Sequence, residues 1–230
     1  MTPARATSAP QATPAPGTGG VFLCLAAECG LRFPASAEEL PIGRCLRCGG
    51  EIVQVATMQA RRMPGCVPAG GRPPLHLLLD NWRSLFNVGS IFRTADGAGV
   101  CEVHLCGITP TPAHRKLAKT ALGAEATMAW SYAPDAVARA AALQAAGMQV
   151  WVLEGGAESC PLWACDPPQG CGLVLAAGNE VCGVDPGLVA SADRVVHVPM
   201  AGCKGSLNVA VALSIAVYWL VGQAERRAGG

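Results

Sequence analysis

LHLLLDNWRSLFNVGSIFRTADGAGVCEVHL, residues 75–105, changes its apolar period twice. Leu75 to Leu79 is an apolar run of buried-strand length, Val88 to Ala98 spaces its apolar residues as a helix closed by Gly99, and Val100 to Leu105 returns to a strand. Strand, helix and strand within about 30 residues is the repeating unit of a parallel sheet. The alternation continues downstream. Pro134 to Ala146 is an Ala-rich helix that Gly147 ends, Met148 to Leu153, Cys171 to Ala177 and Arg194 to Val198 are strands, and Ser206 starts a long final helix. This order predicts an α/β domain over residues 75–224 with a mostly parallel sheet, and ligands bind such sheets at the carboxyl ends of the strands.

Working outward, 230 residues suit one ordinary domain plus a small module. With 51% hydrophobic and 14% charged residues there is ample material for a core, which excludes disorder of the whole and argues against a coiled coil. A formal net charge of +1 gives no global case for nucleic acid or a membrane surface, so any such case is local. Seven of the 17 basic residues but only four of the 16 acidic ones precede His76, leaving the front basic and the body slightly acidic. Residues 1–20 lack the apolar run of a secretory signal, contain the single Arg5 and read as a disordered tail; residues 225–230 read as a second tail. Gly205 to Ala224 is free of charge but interrupted by Ser206, Asn208, Ser214 and Gln223, which favours a buried helix over a membrane span. Twelve cysteines without a signal point to a reducing compartment, the cytoplasm.

Four cysteines fall as Cys24-x4-Cys29 and Cys45-x2-Cys48, with Gly30 and Gly49 following the pairs. This is zinc-ribbon spacing: two thiolates from each short knuckle grip one tetrahedral ion, and glycine permits the turn behind them. Val21 to Leu23 and Ile52 to Val55 flank the knuckles as short strands would, giving a ribbon over residues 21–56. So short a segment buries little apolar area, so Zn2+ would be the staple that folds it. Arg32, Arg44 and Arg47 make an RNA-facing surface plausible, with solvated charge as the plain alternative. Residues 57–74, with Arg61, Arg62 and Gly70-Gly71, read as the linker.

No nucleotide fingerprint explains the body. Gly97 and Gly99 end a helix and lack a third glycine at dinucleotide spacing, and no P-loop is present. Its polar residues instead gather in three places. The first runs from Asp80-Asn81-Trp82-Arg83-Ser84 through Asn87 and Arg93 to Gly99. The second is Leu173-Val174-Leu175-Ala176-Ala177-Gly178-Asn179-Glu180, continuing to Val198-Pro199-Met200. The third is Gly205-Ser206-Leu207-Asn208-Val209-Ala210.

In that order and separation the three resemble the motifs of the SpoU/TrmH family of RNA ribose 2′-O-methyltransferases, of the SPOUT superfamily, over roughly residues 75–222. The resemblance implies a trefoil-knotted α/β domain that binds S-adenosylmethionine in the knot and works as a homodimer on tRNA or rRNA. It implies cofactor contacts at Ala176, Ala177, Gly178, Val198, Pro199, Met200, Ser206 and Leu207. It also implies functional roles for Asn87, Arg93, Glu180, Ser206 and Asn208, with Arg93 activating the 2′-hydroxyl. Ala176-Ala177 and the N-terminal ribbon are departures from relatives. Methyl transfer from a sulfonium is an in-line displacement, so aligning the 2′-oxygen and easing loss of its proton are what the protein supplies. Arg93 serves either as the base or as a charged group that grips phosphate and stabilises oxyanion charge.

The residues themselves allow plainer roles too. Asn87 could cap a helix, Ser206 is an ordinary N-cap, and Glu180 at a strand end could orient Arg93 or a hydroxyl. The last helix, through Leu213, Ile215, Val217 and Trp219, is a natural dimer surface or an intramolecular core. His114, Arg115, Lys116 and Lys119 are the densest positive group of the body and suit phosphate contact. His104 and His197 read as core residues, and Cys160, Cys165, Cys171, Cys182 and Cys203 as structural thiols. A non-catalytic RNA-binding factor and a base methyltransferase of the same superfamily are the alternatives.

Overall fold

Leu77, Leu78 and Leu79 are all fully buried, which only a strand covered on both faces allows. The computed structural model describes residues 19–36, 43–58 and 73–228. Residues 1–18 of the tail expected over 1–20, and residues 59–72 of the linker expected over 57–74, lie outside these. The chain divides into two compact units, Met1–Gly65 and Cys66–Gly230.

In the first unit, β1 (Gly19–Cys24), β2 (Arg32–Ser36) and β3 (Ile52–Met58) form an antiparallel sheet ordered β2-β1-β3. Strand β1 begins at Gly19, inside the stretch read as a tail, and β3 runs to Met58, inside the stretch read as linker. Strand β2 was not expected, because Arg-Phe-Pro-Ala-Ser alternates too briefly to stand out. Its Phe33 and Ala35 are nevertheless buried with Cys24 and Cys45 in a small core. Gly30 and Gly49 have φ of +53° and +72°, the left-handed turn that a glycine behind each cysteine pair makes cheap.

The second unit carries β4 (Leu75–Asp80), α1 (Leu85–Ala98), β5 (Glu102–Cys106), α2 (Ala118–Ala121), α3 (Ala124–Thr127), β6 (Trp130–Ala133) and α4 (Ala136–Ala145). It continues with β7 (Gln149–Leu153), β8 (Cys160–Pro161), β9 (Leu173–Ala177), α5 (Pro186–Ser191), β10 (Arg194–His197) and α6 (Val209–Ala228). The sheet is ordered β6-β5-β4-β9-β7-β10-β8, and every paired strand is parallel. One face carries Leu77, Leu79, Leu105 and Leu175 under α1 and α6, and the other carries Leu78, Val152 and Val174 under α4 and α5.

Ser84 caps α1, its Oγ accepting the Asn87 N–H at 3.3 Å, so Asn87 is not the capping residue. The last helix starts at Val209 rather than Ser206. Asn208 caps it, with Oδ1 accepting from the N–H groups of Ala210 and Val211 at 2.9 and 3.2 Å. Helix α6 also continues through residues 225–228, where a tail was expected. Leu213 and Val217 are buried in the core, as the intramolecular alternative for this helix expects, whereas Val211 and Tyr218 face outward. Among the described residues no helix is long and apolar enough to cross a membrane.

Candidate active site

A cleft of about 470 Å³ opens at the carboxyl ends of β7, β9 and β10 and at the start of α6. This is where an open parallel sheet places its ligands. Of the residues expected to hold a cofactor, Gly178, Val198, Met200, Ser206 and Leu207 line it. Ala176 and Ala177 do not: both are fully buried, one on each face of the sheet, and the Ala177 carbonyl accepts the Trp82 indole N–H at 2.9 Å. Pro199 is not among the lining residues either.

Gly178 is fixed by backbone contact. A Cβ there would stand 2.4 Å from the Gly183 carbonyl, because the 178–183 loop folds back on itself through the Asn179–Gly183 bridge. Asn179 tightens the same loop. Its Nδ2 donates to the Asn81 carbonyl at 2.6 Å, and its Oδ1 accepts from the N–H groups of Val181 and Cys182.

That loop delivers Glu180 to the start of α1. Its carboxylate accepts the Arg83 N–H at 3.0 Å, the Ser84 N–H at 3.1 Å and Asn87 Nδ2 at 3.0 Å. A negative group at a helix N-terminus also meets a favourable dipole. Partial burial pushes the Glu180 carboxyl up, but the hydrogen bonds from Arg83, Asn87 and Ser84 outweigh it and hold the group below the usual carboxylate range. Asn87, its amide nitrogen committed to Glu180, turns Oδ1 to Asn208 Nδ2 at 3.2 Å. Asn208 in turn gives Oδ1 to α6. Each amide therefore has one consistent orientation along the line Glu180, Asn87, Asn208.

Arg93 is not brought into this line. It is exposed on α1 and makes no hydrogen bond or ion pair among the described residues, so Glu180 orients Asn87 and not Arg93. Ser206 lines the cleft but is exposed, and it is Asn208 rather than Ser206 that caps α6. His114, Arg115, Lys116 and Lys119 are all exposed, on the turn leading into α2 and on α2 itself. Helix α2 packs on α1 at Gly89, so the basic turn adjoins the helix that carries Asn87 and Arg93.

Two cleft residues, Glu154 and His197, are not among the site residues expected from the sequence. Glu154, one residue past β7, sends Oε2 to the Val184 N–H at 3.1 Å and so braces the same loop from the other side. Its signal was a carboxylate at the carboxyl end of an apolar strand. His197 lines the cleft with Nδ1 2.8 Å from Ser159 Oγ and is not a core residue. Cys182 and Cys203 are exposed, contrary to a structural role for them, while Cys165 is buried.

In the first unit the four expected ligands converge. Cys24 and Cys48 Sγ lie 3.5 Å apart, Cys29 and Cys45 Sγ 3.8 Å apart, and all four sulfurs lie within 4.8 Å of one another. Four thiolates about 2.3 Å from one tetrahedral ion would stand about 3.8 Å from each other, so the cluster could hold zinc. The N–H groups of Arg47 and Gly50 point at Cys45 and Cys48 Sγ, each at 3.4 Å, as partners of thiolate charge would. Arg44 and Arg47 are exposed beside it, Arg44 donating to the Gly49 carbonyl at 3.2 Å.

Residues 74–218 match the SpoU rRNA Methylase family. The 23S rRNA (guanosine(2553)-2'-O)-methyltransferase of Bacillus subtilis strain 168 is 35% identical over 150 residues, 64% of this chain and 57% of that protein. The crystal structure of an A. aeolicus TrmH/SpoU tRNA modifying enzyme superposes with a TM-score of 0.62 at 26% identity, covering 68% of this chain and 78% of the other. An AdoMet-bound rRNA methyltransferase from Sinorhizobium meliloti superposes with a TM-score of 0.60 at 26% identity, covering 78% and 66%. The chain spans about three fifths of the length of the curated relatives it matches. A parallel sheet with its cleft at the strand ends, three motifs joined by one hydrogen-bond line and a match over most of the second unit lead to one assignment: this chain belongs to the SpoU rRNA Methylase family.

Proposed function

We propose that the chain transfers a methyl group from S-adenosylmethionine to a ribose 2′-hydroxyl of tRNA or rRNA. The observation that carries this is the line Glu180, Asn87, Asn208, which ties one residue from each motif together beside the cleft. At about 470 Å³ the cleft lies within the range of roughly 300–1,000 Å³ of small-molecule sites. It offers apolar walls at Leu153, Val198 and Leu207 and polar atoms at Asn179 and Ser206, which suits an adenosyl amino acid. When bound there, S-adenosylmethionine supplies an electrophilic methyl on its sulfonium. Gly178, Val198, Met200, Ser206 and Leu207 hold it, and Asn87 and Asn208, fixed by Glu180, orient the ribose. Arg93, whose guanidinium has no hydrogen-bond or ion-pair partner among the described residues, grips the neighbouring phosphate and steadies oxyanion charge as the 2′-oxygen loses its proton. The RNA substrates named for the relatives above support RNA as the acceptor.

We further infer that the segment from β10 to α6 threads a trefoil knot, that Cys24, Cys29, Cys45 and Cys48 hold Zn2+, and that Arg44, Arg47 and the basic turn at His114 to Lys119 contact RNA phosphate. A homodimer, formed over the outward stripe of α6 with Val211 and Tyr218, would cover apolar surface that is otherwise exposed. The free thiols of the described cysteines suit the reducing cytoplasm.

The test is transfer of labelled methyl from S-adenosylmethionine to total RNA from cells lacking this protein, followed by digestion to nucleosides. Label in a 2′-O-methylnucleoside is expected. Label on a base would overturn the ribose chemistry, and no label beside an active control enzyme would favour the non-catalytic RNA binder. Arg93→Ala should lower turnover by about 10² or more while cofactor affinity stays unchanged; near-normal turnover would remove Arg93 from the mechanism.

A further inference from the structure

At the opposite, amino-terminal end of the same sheet, His76 on β4 and Glu102 and His104 on β5 share the face covered by α4. His76 precedes Asp80 by four residues, so the group sits about 13 Å along the strand from the end where the cleft opens. His76 Nδ1 lies 3.0 Å from His104 Nε2 with the rings stacked. Glu102 reaches both imidazoles, at 3.4 Å from His104 Nδ1 and 3.9 Å from His76 Nδ1. One ligand atom from each residue falls within 4.8 Å of the others.

The hydrogen bonds fix the protons. His104 Nδ1 accepts from the Arg139 guanidinium, at 3.1 Å from Nη2 and 3.4 Å from Nε. Its proton is therefore on Nε2, donated to His76 Nδ1. The Glu102 carboxylate makes no hydrogen bond among the described residues, and its cationic neighbour is Arg139 at 3.8 Å. Two imidazole nitrogens and a carboxylate thus converge with a single proton and a displaceable guanidinium between them. Two nitrogens on one tetrahedral Zn2+ would be about 3.3 Å apart, close to the spacing already present.

We propose that His76, Glu102 and His104 form a binding site for a divalent transition-metal cation, distinct from the cysteine cluster. On capture, His76 Nδ1, His104 Nε2 and a Glu102 oxygen become ligands. The His104 proton moves from Nε2 to Nδ1, where Ser131 Oγ at 2.8 Å accepts it as an outer partner. Arg139, which is 31% exposed, swings out to solvent. No net proton is taken up or released. With His104 buried but His76 and Glu102 at 16% and 27% exposure, the ion has a way in. Nitrogen and oxygen donors without sulfur favour Zn2+, Ni2+ or Co2+ over softer ions. The ion would clamp β4 to β5 and, through Ser131, to β6.

Cobalt distinguishes the two sites in the full chain, stripped of metal and kept reduced. Thiolates give Co2+ an intense charge-transfer absorption that imidazole and carboxylate do not. Titration is expected to show an equivalent bound without thiolate absorption, separate from any equivalent that carries it. His76→Gln and Glu102→Gln should each weaken the thiolate-free equivalent by about 10-fold or more, and leave the thiolate signal unchanged. Arg139→Ala should tighten it by removing the competing cation. Absence of a thiolate-free equivalent, or its persistence in both His76→Gln and Glu102→Gln, would overturn the site. These substitutions lie at partly exposed positions, and circular dichroism of each variant separates lost binding from lost folding.

Discussion

Glu180 makes its contacts as a carboxylate, and that gives it a pH signature. Two backbone N–H groups at the start of α1 and the Asn87 amide all donate to it, so the charged form is the one the fold selects. A carboxyl held below its usual range adds stability that is present above the unfolded value, about 4.3, and lost as pH falls through the lower folded value. Glu180→Gln keeps the shape but cannot supply that charge. The stability difference between wild type and Glu180→Gln should therefore be largest near neutral pH and shrink on the acid side of about pH 4.3 in urea unfolding curves. A difference independent of pH would mean that Glu180 acts by shape alone. At this scale the residue types of the site were legible, because polar residues at strand and helix ends of an apolar body have few structural uses. Their pairing was not: nothing in the spacing of Asn87 and Glu180 says that the carboxylate takes the asparagine and leaves Arg93 exposed.

Elements with a strong apolar period were legible, and those without one were not. Helix α1 and strands β4, β5, β7 and β9 announce themselves through runs such as Leu77 to Leu79 and Val174 to Ala176. Helices α2 and α3 have four residues each, too short for any period, and β6 is a four-residue edge strand. Helix α5 did carry a readable signal, Asp185 as N-cap before Pro186, with Asp185 Oδ1 accepting the Gly187 N–H at 2.7 Å. The packing of α2 on α1 depends on Gly89, where a Cβ would fall 2.7 Å from Thr120 Cβ and 3.0 Å from the Ala121 nitrogen. Both neighbours belong to or adjoin backbone, so no rotamer change relieves the overlap. Gly89→Ala gains about 1 kcal/mol of helix propensity but incurs overpacking of about 1–3 kcal/mol. A net loss is expected in denaturant unfolding, recovered in part by adding Thr120→Gly. A more stable Gly89→Ala would show that α2 yields easily.

At the scale of the molecule, the two units draw on different sources of stability. The second unit buries two extensive apolar clusters on either side of its sheet, whereas among the described residues of the first the buried hydrophobic cluster is Cys24, Phe33, Ala35 and Cys45. A core that small needs a cross-link, and four convergent thiols are where a metal would supply one. The α/β class of the larger unit was legible in strand and helix order, but the knot proposed for it was not, since connection rules favour unthreaded paths and only the motif resemblance implies one. The contrast in cores makes a sharp prediction. Cys24→Ser with Cys48→Ser removes two of the four sulfurs without touching the second unit. Hydrogen exchange should then rise to unfolded-chain rates in β1, β2 and β3, while the amides of β4 and β9 stay protected and affinity for S-adenosylmethionine is unchanged. Affinity for RNA should fall, and become less sensitive to salt, if Arg44 and Arg47 contact phosphate through a folded ribbon. Loss of protection in β4 and β9 as well would show that the larger unit depends on the ribbon for its folding. An unchanged RNA affinity would instead leave the ribbon folded by metal but free for a partner other than RNA.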